Sequence, residues 1–184
     1  MAIRGMHLAV PMVTVNPLRT LYGKLARELA QSERSAFVHT QREARRLGDS
    51  PPARALRAVG AHAAAMRPRF DALVEDQPIG AMLARRFGEL FSLLRHVVFD
   101  RIVDVERSYR GTVLGFYHGL GVARLLREVA ERLDERDMAA FCDAWISERV
   151  VLVQAAEREL HWFADLPRKA IRSGLHAAFE PAPE

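Results

Sequence analysis

Cysteine, lysine and tyrosine are scarce in this chain: its 184 residues include one cysteine, two lysines and three tyrosines. The single cysteine, Cys142, excludes an intramolecular disulfide and a cysteine cluster for structural zinc. It stands in Phe141-Cys142-Asp143-Ala144-Trp145, on the apolar side of a predicted helix, and reads as a buried inert thiol rather than a nucleophile. Long apolar runs are missing too, since none reaches the roughly eighteen residues of a membrane span. Residues 1–15 are mildly apolar but interrupted by Pro11, and lack the continuous core of a secretory signal. A cytoplasmic protein with no membrane attachment is the expectation. Strand alternation and fixed-period repeats do not occur. Neither do a Gly-x-Gly-x-x-Gly fingerprint, a phosphate-binding loop or a Gly-x-Ser-x-Gly elbow, so no catalytic signature is legible.

What is present is ordinary for a globular chain, at 49% hydrophobic and 27% charged residues. The length suffices to bury a substantial core in one domain. The net charge of +4 is uneven. Residues 1–72 hold 12 Lys/Arg against 5 Asp/Glu, leaving 15 against 18 for the remainder. The basic half reads as a solvated helix face, and it can also meet nucleic acid, an anionic surface or an acidic partner.

Helical periodicity organises the chain. Asn16-Pro17 is an N-cap followed by a proline at the first helical position. From there apolar residues recur with a 3.6-residue period from Leu18 to Leu47, ending at Gly48-Asp49-Ser50-Pro51-Pro52. A second helix carries Leu56, Val59, Ala63, Met66, Phe70 and Leu73, with Pro68 inside it expected to kink or break it. Residues 77–95 read as a linking segment with a shorter helix, and His96 to about Leu133 as a third long helix. After a turn at Asp134-Glu135-Arg136, a fourth runs from about Asp137 to Ala164. The expected fold is all-α, an antiparallel bundle of four long helices with a crossover helix. Its expected divisions are an irregular segment 1–15, a bundle domain 16–166, and a short helix with a fraying tail over 167–184.

Polar residues interrupt each apolar stripe: Ser32 and Glu33 on the first helix, His62 on the second, Glu106 on the third, and Glu148-Arg149 on the fourth. A buried carboxylate must be paired, metal-bound or protonated. Helix order, the crossover, His62 after Ala58-Val59-Gly60-Ala61, and Glu106-Arg-Ser-Tyr109 together resemble the ferritin-like superfamily, in particular its small bacterial stress-type members. The resemblance spans most of residues 17–164 and is one of pattern. It implies a ferritin-like topology and a metal site in the bundle core for iron or another divalent ion, built from a Glu on each of two helices and a Glu-x-x-His on each of the others. This sequence departs from that motif. Val59, Gly115 and Arg158 precede His62, His118 and His161 by three, and Val151 stands where Glu148 would need its histidine.

Helical rise of about 1.5 Å per residue sorts the polar residues into two layers: Glu33, His62 and Glu106 near His161, and His118 near Glu148. Each layer reads as a structural polar network, a degenerate metal or ligand site, or solvent-facing residues. Two further pairs at helical spacing, His39 with Glu43 and Glu157 with His161, read as surface salt bridges. Gly111, Gly115 and Gly119 fall every fourth residue on one helix side. Each costs about 1 kcal/mol against alanine in a helix interior, so the stripe is expected to permit close helix packing, or else to make room for a flat ligand. The leading functional expectation is a non-enzymatic bundle acting through a protein partner or as a homo-oligomer. The alternatives are metal handling with an altered site, and nucleic-acid binding through the basic N-terminal helix pair.

Overall fold

The computed structural model describes residues 16–75 and 104–171. Over these the chain forms four long helices, α1 (Pro17–Leu47), α2 (Pro51–Glu75), α3 (Val105–Arg132) and α4 (Arg136–Arg158), followed by two short ones, α5 (Leu160–Asp165) and α6 (Pro167–Ala170). Residues 1–15, the linking segment 77–95, the first turns expected from His96 and the tail after Ile171 lie outside the described residues.

The helix ends follow their local chemistry. The Asn16 side chain accepts a hydrogen bond from the Leu18 amide at 2.9 Å, with Pro17 in the first turn. Gly48 closes α1 at φ 65°, a conformation that costs glycine nothing. The Ser50 hydroxyl accepts from the Ala53 amide at 3.4 Å as α2 begins. Between α3 and α4 the chain turns through Asp134 at φ 59°, while the Glu135 amide reaches back to the Ala130 carbonyl at 2.9 Å.

Two expectations about helix continuity change. Pro68 does not end α2, which runs on to Glu75. Pro68 and Ala64, whose carbonyl the missing amide would have engaged, both face solvent, so water can satisfy that group. The fourth long helix, by contrast, stops at Arg158 instead of reaching Ala164. There Tyr109 donates its hydroxyl to the Ala156 carbonyl at 2.7 Å and the His161 ring contacts the Arg158 carbonyl, so two carbonyls of the last turn take side-chain partners. The Trp162 amide then bonds Glu159 at 3.1 Å, and α5 starts as a new helix across the end of the bundle, with Phe163 packed on Tyr109 at 5.1 Å between rings.

Each long helix packs mainly on two others: α1 and α4 both lie against α2 and α3. Cross-helix pairs fix the directions. Arg19 at the start of α1 pairs with Glu135 just before α4, Ser32 lies at Gly119, and Arg46 at the end of α1 reaches Ser108 at the start of α3, so α1 and α3 are antiparallel. Arg149 contacts His62 and Phe141 packs on Phe70, so α2 and α4 are antiparallel as well. Thr40 at Gly60 sets α1 antiparallel to α2. It follows that α2 and α3 run in the same direction, with Glu75 and Asp104 at opposite ends of the bundle. The core between the helices is filled by Tyr22, Leu29, Leu56, Tyr109, Leu120, Leu126, Met138 and Trp145, all nearly or fully removed from solvent. Fully burying such side chains contributes about 1.5–3 kcal/mol for each aliphatic or aromatic one. Among the described residues no helix is long and apolar enough to cross a membrane.

Candidate functional site

Burial on α4 follows the line Trp145, Arg149, Val153 and Ala156, one residue per turn, so the guanidinium of Arg149 points into the bundle and is 1% exposed. Glu33 on α1 and His62 on α2 arrive at the same level and are buried with it. Arg149 Nη2 donates to both carboxylate oxygens of Glu33, at 2.7 and 2.6 Å, and its Nε donates to His62 Nδ1 at 3.1 Å. The guanidinium lies over the Trp145 ring at 4.7 Å, and the His62 ring meets that indole edge-on at 6.1 Å. A cation over an indole face and an ion pair with two hydrogen bonds are the strong forms of these contacts.

Electrostatics follow from burial. Loss of water raises the Glu33 carboxyl above its usual range, while the charge of Arg149 first, then the nearby Trp145 indole N–H and the Arg149 hydrogen bonds, pull it back. Burial likewise lowers Arg149, against the opposing pull of Glu33. Burial first, and the Arg149 charge second, hold the His62 imidazole down at about 4. Neutral His62 therefore accepts at Nδ1 and carries its proton on Nε2, which lies 3.3 Å from Glu148 Oε2 without hydrogen-bond alignment. The Glu148 side chain is 54% exposed and sits at the outer edge of this cluster.

The layers expected from helical rise are therefore re-sorted. Glu33 and His62 meet as expected, but their third partner is Arg149, with Glu148 alongside. Glu106 stays at the α3 surface and accepts from Arg110 at 2.7 and 3.2 Å, because the buried face at that end is carried by Val105, Ser108 and Tyr109. His161 is exposed on α5, turned away by the break after Arg158. His118 faces α1 rather than α4, its Nε2 lying 3.0 Å from Glu28 Oε1. Glu157 accepts from Tyr117 at 2.5 Å across the α3–α4 surface. Glu43, expected on the surface, is 1% exposed; its Oε1 accepts from Arg46 at 2.8 Å and its Oε2 is buried without a hydrogen bond. The sequence signal for Arg149 is its place four residues after Trp145 and four before Val153, whereas Glu148 is one step aside.

The three glycines do not act alike. At Gly119 an added Cβ would lie 2.6 Å from Ser32 Oγ, so α1 and α3 approach closely there. At Gly111 and Gly115 it would meet nothing within 4 Å. These two floor an open polar groove of about 600 Å³ between α1 and α3, edged by Glu28, Ser35, His39, Arg107 and Thr112. Cys142 is fully buried, and burial pushes its thiol up to about 12.

A cation in the core would need donors that are already committed. Both Glu33 oxygens and His62 Nδ1 are engaged by a guanidinium that itself supplies the positive charge, and among the described residues no group of three His, Cys, Asp or Glu side chains is placed to hold a metal. The donor set does not fit the metal site that the ferritin-like resemblance implies. What the geometry defines is an all-α bundle of four long helices with a closed ionic cluster at its centre. Comparison with protein-family models, with curated proteins and with solved structures finds no match for this chain.

Proposed function

We propose that this chain is a non-enzymatic, ferritin-like bundle that acts by protein–protein interaction, with a partner or with further copies of itself. The parallel course of α2 and α3, whose joined ends lie at opposite ends of the bundle, supports the ferritin-like topology. The observation that carries the functional reading is the closure of the central cluster. Arg149 engages both Glu33 oxygens and His62 Nδ1, so these groups are committed to one another inside the bundle and interaction is left to the surface. On the outer sides of the adjacent helices α3 and α4, Leu114 is 70% and Val151 61% exposed, apolar handles of the kind interfaces use. Sedimentation velocity across a concentration series tests this. Self-association weakened by Leu114→Lys or Val151→Lys supports the reading; a strict monomer from which no partner is recovered counts against it.

One observation favours a second reading, nucleic-acid binding. Of the three carboxylates on α1, Glu33 and Glu43 are buried, leaving Glu28 on a surface that also carries Lys24, Arg34 and Arg45. That reading requires affinity that falls steeply with salt, and retention only at very low salt would reduce it to nonspecific charge. The metal-handling alternative requires iron or another divalent ion to displace Arg149 from Glu33 and His62. Elemental analysis of protein from iron-supplemented cells checks it, and a stoichiometric metal would favour it.

A further inference from the structure

The outer face of α3 is short of charge. From Gly111 to Ala123 no Asp, Glu, Lys or Arg occurs, although 27% of the chain is charged. Water nevertheless reaches this stretch: Leu114 is 70% exposed, and Leu125, just beyond it, is 45% exposed. The solvated side of an amphipathic helix carries charged and polar residues, and an apolar patch in their place marks an interaction surface.

Four exposed residues of this face, Leu114, His118, Gly121 and Leu125, follow one another at intervals of four, three and four. That is the 3.5-residue spacing of a coiled-coil seam, a line along which a second helix can lie. Gly121 is the gap in the seam. An added Cβ there would meet nothing within 4 Å, so no contact inside the chain offsets the roughly 1 kcal/mol that glycine costs in a helix interior. His118 is the projection, its Nε2 lying 3.0 Å from Glu28 Oε1 on α1.

We propose that a second copy of this chain lies on this seam, its α3 antiparallel to the first, in an isologous dimer; this rests on the surface-interaction reading above and names its partner and face. About the two-fold axis Leu114 meets the second copy's Leu125, and His118 fills the space over the second copy's Gly121, each contact being made twice. Other pairings fit worse. A parallel seam sets Gly121 on the second copy's Gly121 and leaves a void. An antiparallel seam displaced by one heptad sets Leu125 against the second copy's Arg107 in one direction, and Leu114 against the second copy's Arg132 in the other. With 28 residues, α3 is about 42 Å long and about 10 Å wide, a face of about 400 Å² against the roughly 800 Å² per partner of a standard interface. The dimer belongs with transient complexes, with a dissociation constant on the order of 100 μM.

Cross-linking between copies of the full chain tests the register. Leu114→Cys and Leu125→Cys variants, carrying tags of different size, are mixed at about 200 μM and oxidised; the native Cys142 is fully buried. The mixed disulfide should exceed either same-site disulfide by about fivefold or more, because same-site positions lie about 16 Å apart along the axis. Gly121→Leu should keep or raise the thermal midpoint, the space around it being open, yet weaken dimerisation in sedimentation velocity by about tenfold or more. An excess of same-site disulfides, no mixed disulfide above either, or a Gly121→Leu dimer as tight as the wild type's would overturn the seam while leaving self-association standing. A wild-type chain that stays monomeric at about 1 mM would overturn the dimer itself, and the broader reading falls with it only if no other partner is recovered.

Discussion

One nitrogen of Arg149, Nη2, holds both carboxylate oxygens of Glu33, at 2.6 and 2.7 Å, in a site where the arginine is 1% and the glutamate 8% exposed. Taking both charges out of water costs several kcal/mol per ion, and mutual attraction offsets that only when the remaining donors are also used. Here they are used in part by His62 and by the face of Trp145. The pair therefore specifies how α1, α2 and α4 meet more than it adds net stability, since any other alignment would strand a buried charge.

The pH dependence of stability carries the signature of His62. Its imidazole is held at about 4 in the folded chain against 6.5 for the ordinary group. The unfolded chain therefore takes up the proton first, and the stabilisation from a neutral His62 is complete above about 6.5 and lost as pH falls toward 4. The gap corresponds to roughly 3 kcal/mol. Urea midpoints measured from about pH 7.5 down to about pH 4.5 should fall in wild type and fall less in His62→Gln. Glu33 is shifted upward by burial and contributes with the opposite sign, which the His62→Gln comparison leaves unchanged on both sides.

Much of the fold is legible before any coordinates. Asn16-Pro17 and Gly48 mark the ends of α1 through chemistry confined to neighbouring residues, and the apolar period supplies the four long helices. Pro68 and the end of α4 are harder. Whether a proline breaks a helix depends on which side of it is wet, and α4 ends where Tyr109, 47 residues earlier, donates to the Ala156 carbonyl, a contact no local pattern reveals. Glu33 and His62 are legible as polar interruptions of an apolar stripe. Arg149 is less so, because a position beside Glu148 looks like charged filler until its register with Trp145 and Val153 is counted. Glu43 is hidden in the same way, since its spacing to His39 suggests a surface pair although Thr40 and Ala44 beside it are buried.

Glycine substitutions along α3 separate open space from close packing. Gly111→Ala and Gly115→Ala should each raise stability by about 0.5–1 kcal/mol, because the methyl group meets nothing and the helix gains propensity. Gly119→Ala gains the same propensity but must displace the Ser32 hydroxyl. Its thermal midpoint should therefore lie below those of the other two variants, and an equal gain at all three positions would show that α1 and α3 are not in close contact at Gly119.

Cys142 offers a probe of core integrity. Fully buried, with its thiol raised to about 12, it should resist a disulfide reagent in the native state and react completely once urea unfolds the bundle. Rapid reaction of the native protein would mean that the contact between α3 and α4 opens readily.

The most direct test of the central cluster is a double-mutant cycle on Glu33→Gln and Arg149→Met, read by urea unfolding near neutral pH. Each single variant leaves a buried polar or charged group without its partner and should lose about 3–5 kcal/mol. The double variant should lose much less than the sum, giving a coupling of about 2 kcal/mol or more. Additive losses, with coupling below about 0.5 kcal/mol, would contradict the assignment of this pair as the ionic centre of the bundle.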